Sequence, residues 1–429
     1  MPPTHARRRS ASSPYTTCRA TVRPICRSAR LRASGRTSAA PRRAREAERR
    51  PRGFCCIRTD SYCDRVSVTV GSSGMKPKRN ALLALALAGL LGVAPAQGIP
   101  AQRVPAGGAT ADPARIERLL VAMGTTLHIE VAAADRAAAL AASEAAARAV
   151  QAAEERLSTW RADSELSRWL AAPVGRPFRP SPSMGRELTR VWQWAEATAG
   201  AFDPCVGALV AAYDLRGRGR WPSSAELAAI RRLGSYRDVL VGDVLLRRRA
   251  LRVEEGAFAK GAALDAAVVA ARAAGAHAGR FDFGGQVAWL GGARRAVELA
   301  DPRARNRPVL RLVVDGGSVA TTGNGERRRS VDGRDLGHVL DPRTGRPAAD
   351  FGSLTVWCQS ALDADCLSTA CFVLGPDEAL AFAERTAGVE VVALVVDGET
   401  ATLSARVSSG LRALCSSLAP ELDIQTRQP

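Results

Sequence analysis

KGAALDAAVVAARAAGAHAGRFDFGGQVAWL, residues 260–290, decides the fold class. Lys260 to Ala274 predicts a helix that Gly275 stops, and Arg280 to Leu290 then reads as a strand interrupted by Gly284-Gly285. Downstream, Leu310 to Val314, Leu354 to Trp357 and Val391 to Val396 are further strands. Upstream, residues 239–253 alternate as short strands around Gly242-Asp243, a hairpin signal. A helix from about Ser183 to Thr198 carries Leu188, Val191, Trp192 and Ala195 at helical spacing, as a core stripe does. Before it come a long Ala-rich helix, Asp135 to Leu157, and a β-branched strand, Thr125 to Ala132. Strands and helices mix without strict βα repetition, so the expected class is α+β rather than a doubly wound sheet. No solenoid repeat is visible.

The chain carries an internal export signal. Met75-Lys76-Pro77-Lys78-Arg79 is a basic start, Ala81 to Val93 is an apolar core, and Ala94-Pro95-Ala96 fits a cleavage site before Gln97. The apolar stretch is too short to span a bilayer, which needs about 20 residues. Residues 1–74 hold 17 Arg, no Lys and four acids, a net +13, against +19 for the whole chain. The positive excess therefore lies upstream of the signal, and residues 97–429 carry only about +3. Such a balance removes the usual case for a nucleic-acid or anionic-membrane partner. Residues 1–74 read as an upstream extension or a disordered basic arm, 75–96 as a signal peptide and 97–112 as a Pro/Gly/Ala linker. No Cys follows the signal directly, so a lipid-anchored N-terminus is not expected. The expected location is the periplasm, with membrane association only through a partner. Five cysteines remain beyond the signal, in no spacing that suggests zinc, and one disulfide is possible.

Four segments carry possible chemistry. In Ala364-Asp365-Cys366-Leu367-Ser368-Thr369, a helix would place the Asp365 carboxylate and the Thr369 hydroxyl on one face. That pair can form part of a hard-cation shell, or Asp365 can simply stabilise the dipole of its own helix. Gly256-Ala257-Phe258-Ala259-Lys260-Gly261 enters a helix, where free N–H groups attract anions and Lys260 adds positive charge; an ordinary tight turn fits equally. Asp265 on the next turn reads as a surface partner of Lys260. Ala201-Phe202-Asp203-Pro204 is either a plain turn or an apolar wall, Phe202, beside a carboxylate that accepts from a ring N–H or ribose. His338 lies in Gly337-His338-Val339-Leu340-Asp341-Pro342, a loop setting that suits a general base. His128, within a strand, reads as structural, and His277, past a helix stop, as solvated.

Together these segments resemble the ApbE family, the FAD:protein FMN transferases. The landmarks are Met123-Gly124-Thr125, Leu157-Ser158-Thr159-Trp160 with Asp163 to Leu166, and Gly200 to Pro204. They continue in order through Gly256 to Asp265, Phe283-Gly284-Gly285, Thr321-Thr322-Gly323, His338 to Gly345, and Ala364 to Thr369. The resemblance implies an α+β, T-fold-like domain over 113–410, a flavin site in a cleft between lobes, and a C-terminal tail at 411–429. It implies Mg²⁺-assisted transfer of FMN from FAD to a Ser or Thr hydroxyl of an exported electron-transfer or quinone-reductase protein, releasing AMP. By similarity, Ala257, Asp365 and Thr369 would hold Mg²⁺. Met123, Trp160, Ala201, Phe202, Asp203, Glu254, Lys260 and Val339 would hold FAD, and His338 would take the acceptor's proton. Cys205, Glu254, Trp160 and Gly325 stand where the family usually has Thr, Asp, Tyr and an aromatic residue. FAD hydrolysis to FMN and AMP, or flavin binding without catalysis, are the alternative activities.

Overall fold

The computed structural model describes residues 114–326 and 329–426. The upstream extension, signal peptide and linker expected at 1–112 lie outside the described residues.

A nine-stranded sheet runs in chain order: β1 Ala114–Ala122, β2 Thr125–Ala133, β3 Ala276–Phe283, β4 Gln286–Leu290, β5 Ser318–Gly323, β6 Gly352–Cys358, β7 Val389–Val396, β8 Leu403–Val407 and β9 Asp423–Thr426. Neighbours are antiparallel except β8 and β9. The helices are α1 Arg136–Leu157, α2 Glu165–Ala171, α3 Pro182–Ala197, α4 Gly207–Ala212, α5 Ser224–Ile230, α6 Ala259–Ala273, α7 Ala361–Leu374 and α8 Pro376–Glu384. Among the described residues no helix is long and apolar enough to cross a membrane.

Around β7 the sheet is covered on both faces, which explains the unbroken apolar run of that strand. Val391 and Ala393 join the helix-side core around α7, whereas Val392 and Leu394 point into a second core on the opposite face. That second core is closed by a side sheet of Arg294–Asp301, Ala304–Asp315 and Cys415–Ser417. At the other end, Leu127, Ile129, Val131, Phe281 and Phe283 of β2 and β3 pack under α1 and α6.

Three expectations change. Arg280 to Leu290 is a hairpin rather than one interrupted strand, because Gly284 and Gly285 both take positive φ (59° and 89°), as the tight turn between twisted strands requires. The strand β1 precedes Thr125 and pairs with β2 through a Met123-Gly124 turn that carries no strong turn signal. Residues 411–426, expected as a tail, belong to the fold: Leu411, Ala419 and Leu422 are buried, and β9 extends the sheet.

Candidate functional site

The site is built where the starts of α6 and α7 meet. Phe258 occupies the N-cap of α6 and has no side-chain acceptor to offer its free N–H groups. The acceptor comes from α7, where Asp365 takes the Gly261 N–H at 2.9 Å. Glycine is needed there, because a Cβ on residue 261 would stand 2.3 Å from the Ala361 carbonyl oxygen. Lys260 Nζ donates to the Gly256 carbonyl at 2.8 Å and lies 3.4 Å from Asp365 Oδ1. A cation thus already sits between the buried carboxylate and the turn Glu255–Ala257. Ala257 is half-buried in that turn, and Thr369 is half-buried one helical turn beyond Asp365. Next to Thr369, the Ser368 hydroxyl donates to the Asp365 carbonyl at 3.0 Å and accepts from Thr322 of β5 at 2.8 Å.

The dipole reading of Asp365 fails on position, since it lies in the second turn of α7. The first turn is served by Ser360, whose hydroxyl accepts the Asp363 N–H, and by Asp265. Asp265 is therefore not a surface partner of Lys260. It turns inward and accepts the Ser360 hydroxyl at 2.7 Å and the Ala361 and Leu362 N–H groups at 2.7 and 3.0 Å. Burial holds its carboxyl above the usual range despite those donors.

A second wing adjoins the first through Glu254 and Glu255. Trp160 is 71 % exposed, with the Arg216 guanidinium 4.1 Å from its ring centroid, a cation–π distance. Arg216 also pairs with Glu254 at 2.8 Å and reaches the Thr159 hydroxyl at 3.2 Å, while Thr159 donates to the nearly buried Glu255. Arg216 and Glu255 were not foreseen. Arg216 comes from an arginine-rich loop in which no spacing marks one guanidinium from the next.

The Glu254 N–H donates to the Pro204 carbonyl at 2.8 Å, which ties the 201–204 turn to the same edge. Phe202 is only 2 % exposed and lies in the core with Ala201, so the expectation that it offers an open wall to a flat ring is not met. Its apolar ring gains more from complete burial than from one wet face. The Asp203 carboxylate accepts the Cys205 N–H at 2.8 Å and the Tyr236 N–H at 3.3 Å. Burial raises its pKa, with those two N–H groups acting in the opposite direction. A raised carboxyl pKa contributes stability that is complete below the unfolded value and is lost as pH rises through the folded one. The melting advantage of the parent over Asp203→Asn should therefore shrink as pH rises above the ordinary carboxylate range. Thermal melts of both proteins from acid to neutral pH check this, and an advantage that grows as pH rises contradicts it.

Met123, Ala257 and Val339 join Ala201, Phe202 and Ala364 in or against one apolar cluster. Met123 holds a left-handed backbone (φ 44°), a conformation that costs about 1–3 kcal/mol for a non-glycine residue. His338 is half-buried, in a segment pinned by the buried Asn324, whose Oδ1 accepts the His338 and Val339 N–H groups at 3.1 and 3.4 Å. Asn324 follows β5, the strand whose Thr322 contacts α7, so one strand end carries both His338 and a brace of the Asp365 helix. His128 is half-buried in β2 near Glu117, and His277 is exposed.

Among the described residues no group of three or more His, Cys, Asp or Glu side chains is arranged to hold a metal. One buried carboxylate, one hydroxyl and nearby carbonyl oxygens form the kind of sparse oxygen set that suits Mg²⁺, which keeps its other positions for water and phosphate. Cys205, Cys358, Cys366, Cys371 and Cys415 are free thiols. Burial pushes the Cys371 thiol up to about 12 and that of Cys415 to about 11, which keeps them protonated and poor as nucleophiles.

Residues 123–393 match the sequence model of the ApbE family. An FAD:protein FMN transferase of Treponema pallidum (strain Nichols) is 31 % identical over 265 residues, 56 % of this chain and 73 % of that protein. Another, from Klebsiella pneumoniae (strain 342), is 30 % identical over 295 residues, 65 % and 83 % of the two chains. Among solved structures, the ApbE protein of Thermotoga maritima superposes with a TM-score of 0.63 at 26 % identity, covering 70 % of this chain and 99 % of its own. The Pseudomonas stutzeri flavinyl transferase ApbE gives 0.59 at 26 %, covering 70 % and 97 %.

Proposed function

Because this chain belongs to the ApbE family, we propose that it transfers FMN from FAD to a Ser or Thr hydroxyl of an acceptor protein, with AMP as the leaving group. The observation that carries this reading is the convergence of a buried carboxylate, a lysine and the N-terminus of α6 on one spot. An anionic diphosphate needs both the N–H groups of a helix start and positive charge.

In the reaction the acceptor oxygen forms a bond to the phosphorus on the FMN side. The bridging P–O bond breaks, and AMP keeps its electron pair. Asp365, Thr369 and the Ala257 carbonyl would hold Mg²⁺, which when bound neutralises charge on the diphosphate. Lys260 neutralises further charge from the α6 side, and the α6 N–H groups orient the phosphate oxygens. Trp160 offers the isoalloxazine the indole face opposite Arg216, and Glu254 holds Arg216 against the other face. Ala201, Phe202 and Asp203 shape the pocket from behind, Phe202 by packing and Asp203 by holding its turn. Met123 and Val339 line the apolar side. His338 accepts the proton of the incoming hydroxyl.

The acceptor is an exported protein with electron-transfer or quinone-reductase character, and the enzyme works in the periplasm after cleavage before Gln97. The support for that location is the signal pattern at 75–96, and N-terminal sequencing of the exported product tests it: any product that begins upstream of residue 75 rules it out.

Incubating the protein with FAD, Mg²⁺ and an acceptor domain tests the activity. A covalent fluorescent FMN on the acceptor supports transfer. Free FMN alone indicates hydrolysis, and bound unchanged FAD indicates a carrier, and either outcome ends the transferase reading. His338→Asn should lower transfer at least a hundred-fold, the usual scale of a lost general base at about 10²–10⁴, while FAD binding stays within about threefold. A transfer rate near that of the parent removes His338 from the mechanism.

A further inference from the structure

Helices α6 and α7 cap each other. Asp365 of α7 accepts the Gly261 N–H in the first turn of α6, and Asp265 of α6 accepts the Ala361 N–H in the first turn of α7. In each helix the carboxylate lies four residues after the N–H that the partner helix captures, so the two contacts form a reciprocal pair. The contact is tight enough that residue 261 cannot carry a Cβ. Gln286 of β4 adds a third constraint, donating Nε2 to the Ala361 carbonyl at 2.7 Å.

The two carboxylates nevertheless differ. Asp265 has three donors within 3.0 Å, two of them backbone N–H groups that cannot move without moving the helix. Asp365 has one such N–H, and Lys260 stands off at 3.4 and 3.5 Å from its two oxygens. Asp365 therefore keeps acceptor capacity for a cation, and Asp265 has largely committed its own.

We propose that Asp265 is a positioning residue for the cation site: by clamping the first turn of α7 it sets the distance between Asp365 and the Glu255–Ala257 turn. The inference rests on the reading of Asp365 as a cation ligand. Asp365 lies one helical turn beyond the clamped Ala361, so a slackened first turn displaces its carboxylate directly. The first turn has a second anchor on another side, where Asp363 accepts from Arg190 at 2.7 and 2.8 Å and from the Trp194 indole at 2.7 Å. That anchor ties α7 to α3 and not to the cation site, which makes it the natural control.

The test is direct Mn²⁺ binding to the full chain without FAD or acceptor, read as free Mn²⁺ by electron paramagnetic resonance, beside thermal melts. Asp265→Ala should weaken Mn²⁺ binding at least tenfold, within the roughly 10–100-fold range typical of groups that orient a ligand. Asp265→Asn keeps one of the two oxygens that take the Ala361 and Leu362 N–H groups, so its Mn²⁺ affinity should fall between those of the parent and the alanine protein. Asp363→Ala should lower the melting temperature yet weaken Mn²⁺ binding clearly less than Asp265→Ala does. Asp265→Glu, which keeps the charge but lengthens the brace, decides the matter if the alanine protein does not fold, and it should weaken binding about tenfold. Parental affinity in Asp265→Ala or Asp265→Glu overturns the proposal and leaves the cation reading standing. A parent that binds no Mn²⁺ overturns both.

Discussion

Asp365→Ala is expected to reduce FMN transfer by at least about a hundred-fold, since a bound cation supplies several kcal/mol of charge stabilisation and each 1.4 kcal/mol is tenfold in rate. The same change removes the acceptor of the Gly261 N–H and the counter-charge of Lys260. Losing a cap of this kind costs about 0.5–2 kcal/mol, so a fall in melting temperature should accompany the loss of activity. Asp365→Asn separates the two effects. It keeps an oxygen for the Gly261 N–H, so stability should return toward the parent, but it lacks the negative charge that draws in the cation. Covalent flavin on the acceptor and thermal melts on both variants give the comparison. Transfer at the parental rate by the asparagine protein would remove Asp365 from the reaction.

Gly261→Val is expected to be the most damaging single change to the fold around the site. Filling a helix-interior glycine normally stabilises by about 0.5–1 kcal/mol, because the unfolded chain loses freedom. Here the added carbon would meet the Ala361 carbonyl at 2.3 Å and the Asp365 side chain at 2.8 Å. A backbone oxygen cannot rotate away, and overpacking costs about 1–3 kcal/mol or more, so the sign reverses. Even Gly261→Ala should melt several degrees below the parent, at roughly 2–4 °C per kcal/mol, and the valine protein lower still. Parting the helices also breaks both reciprocal caps, so Mn²⁺ binding should fall together with stability. An alanine variant that melts at the parental temperature would show that the helices do not approach as closely as 2.3 Å implies.

Several features were legible because they depend on local periodicity. The α6 helix ends at Ala273, and Gly275, two residues on, takes a φ of 97° as the expected stop. Asp365 and Thr369 on one helical face follow from the 3.6-residue period alone. Phe202 stayed open between a plain turn and an apolar wall because its neighbours in the chain, Asp203 and Pro204, are turn residues. Whether an aromatic ring in a turn faces water or core depends on what lies across from it. The tail at 411–426 escaped notice because β9 is short and only its pairing with β8 makes it a strand.

The amino-acid order by itself determined the α+β alternation and the apolar runs buried on both faces of the sheet, and through the ApbE resemblance it offered candidate residues for a flavin diphosphate. Only the tertiary structure decided how they are arranged: Asp365 left with one close N–H donor, Asp265 holding the first turn of α7, Asp203 turned inward, and Arg216 laid over Trp160. The reason is that helical and strand periods act over a few residues, whereas each of these assignments is a hydrogen bond or contact between groups about 30 to 100 positions apart. Such pairs are set by how the helices dock on the sheet, and the docking follows from the burial of the whole core rather than from any short stretch of chain.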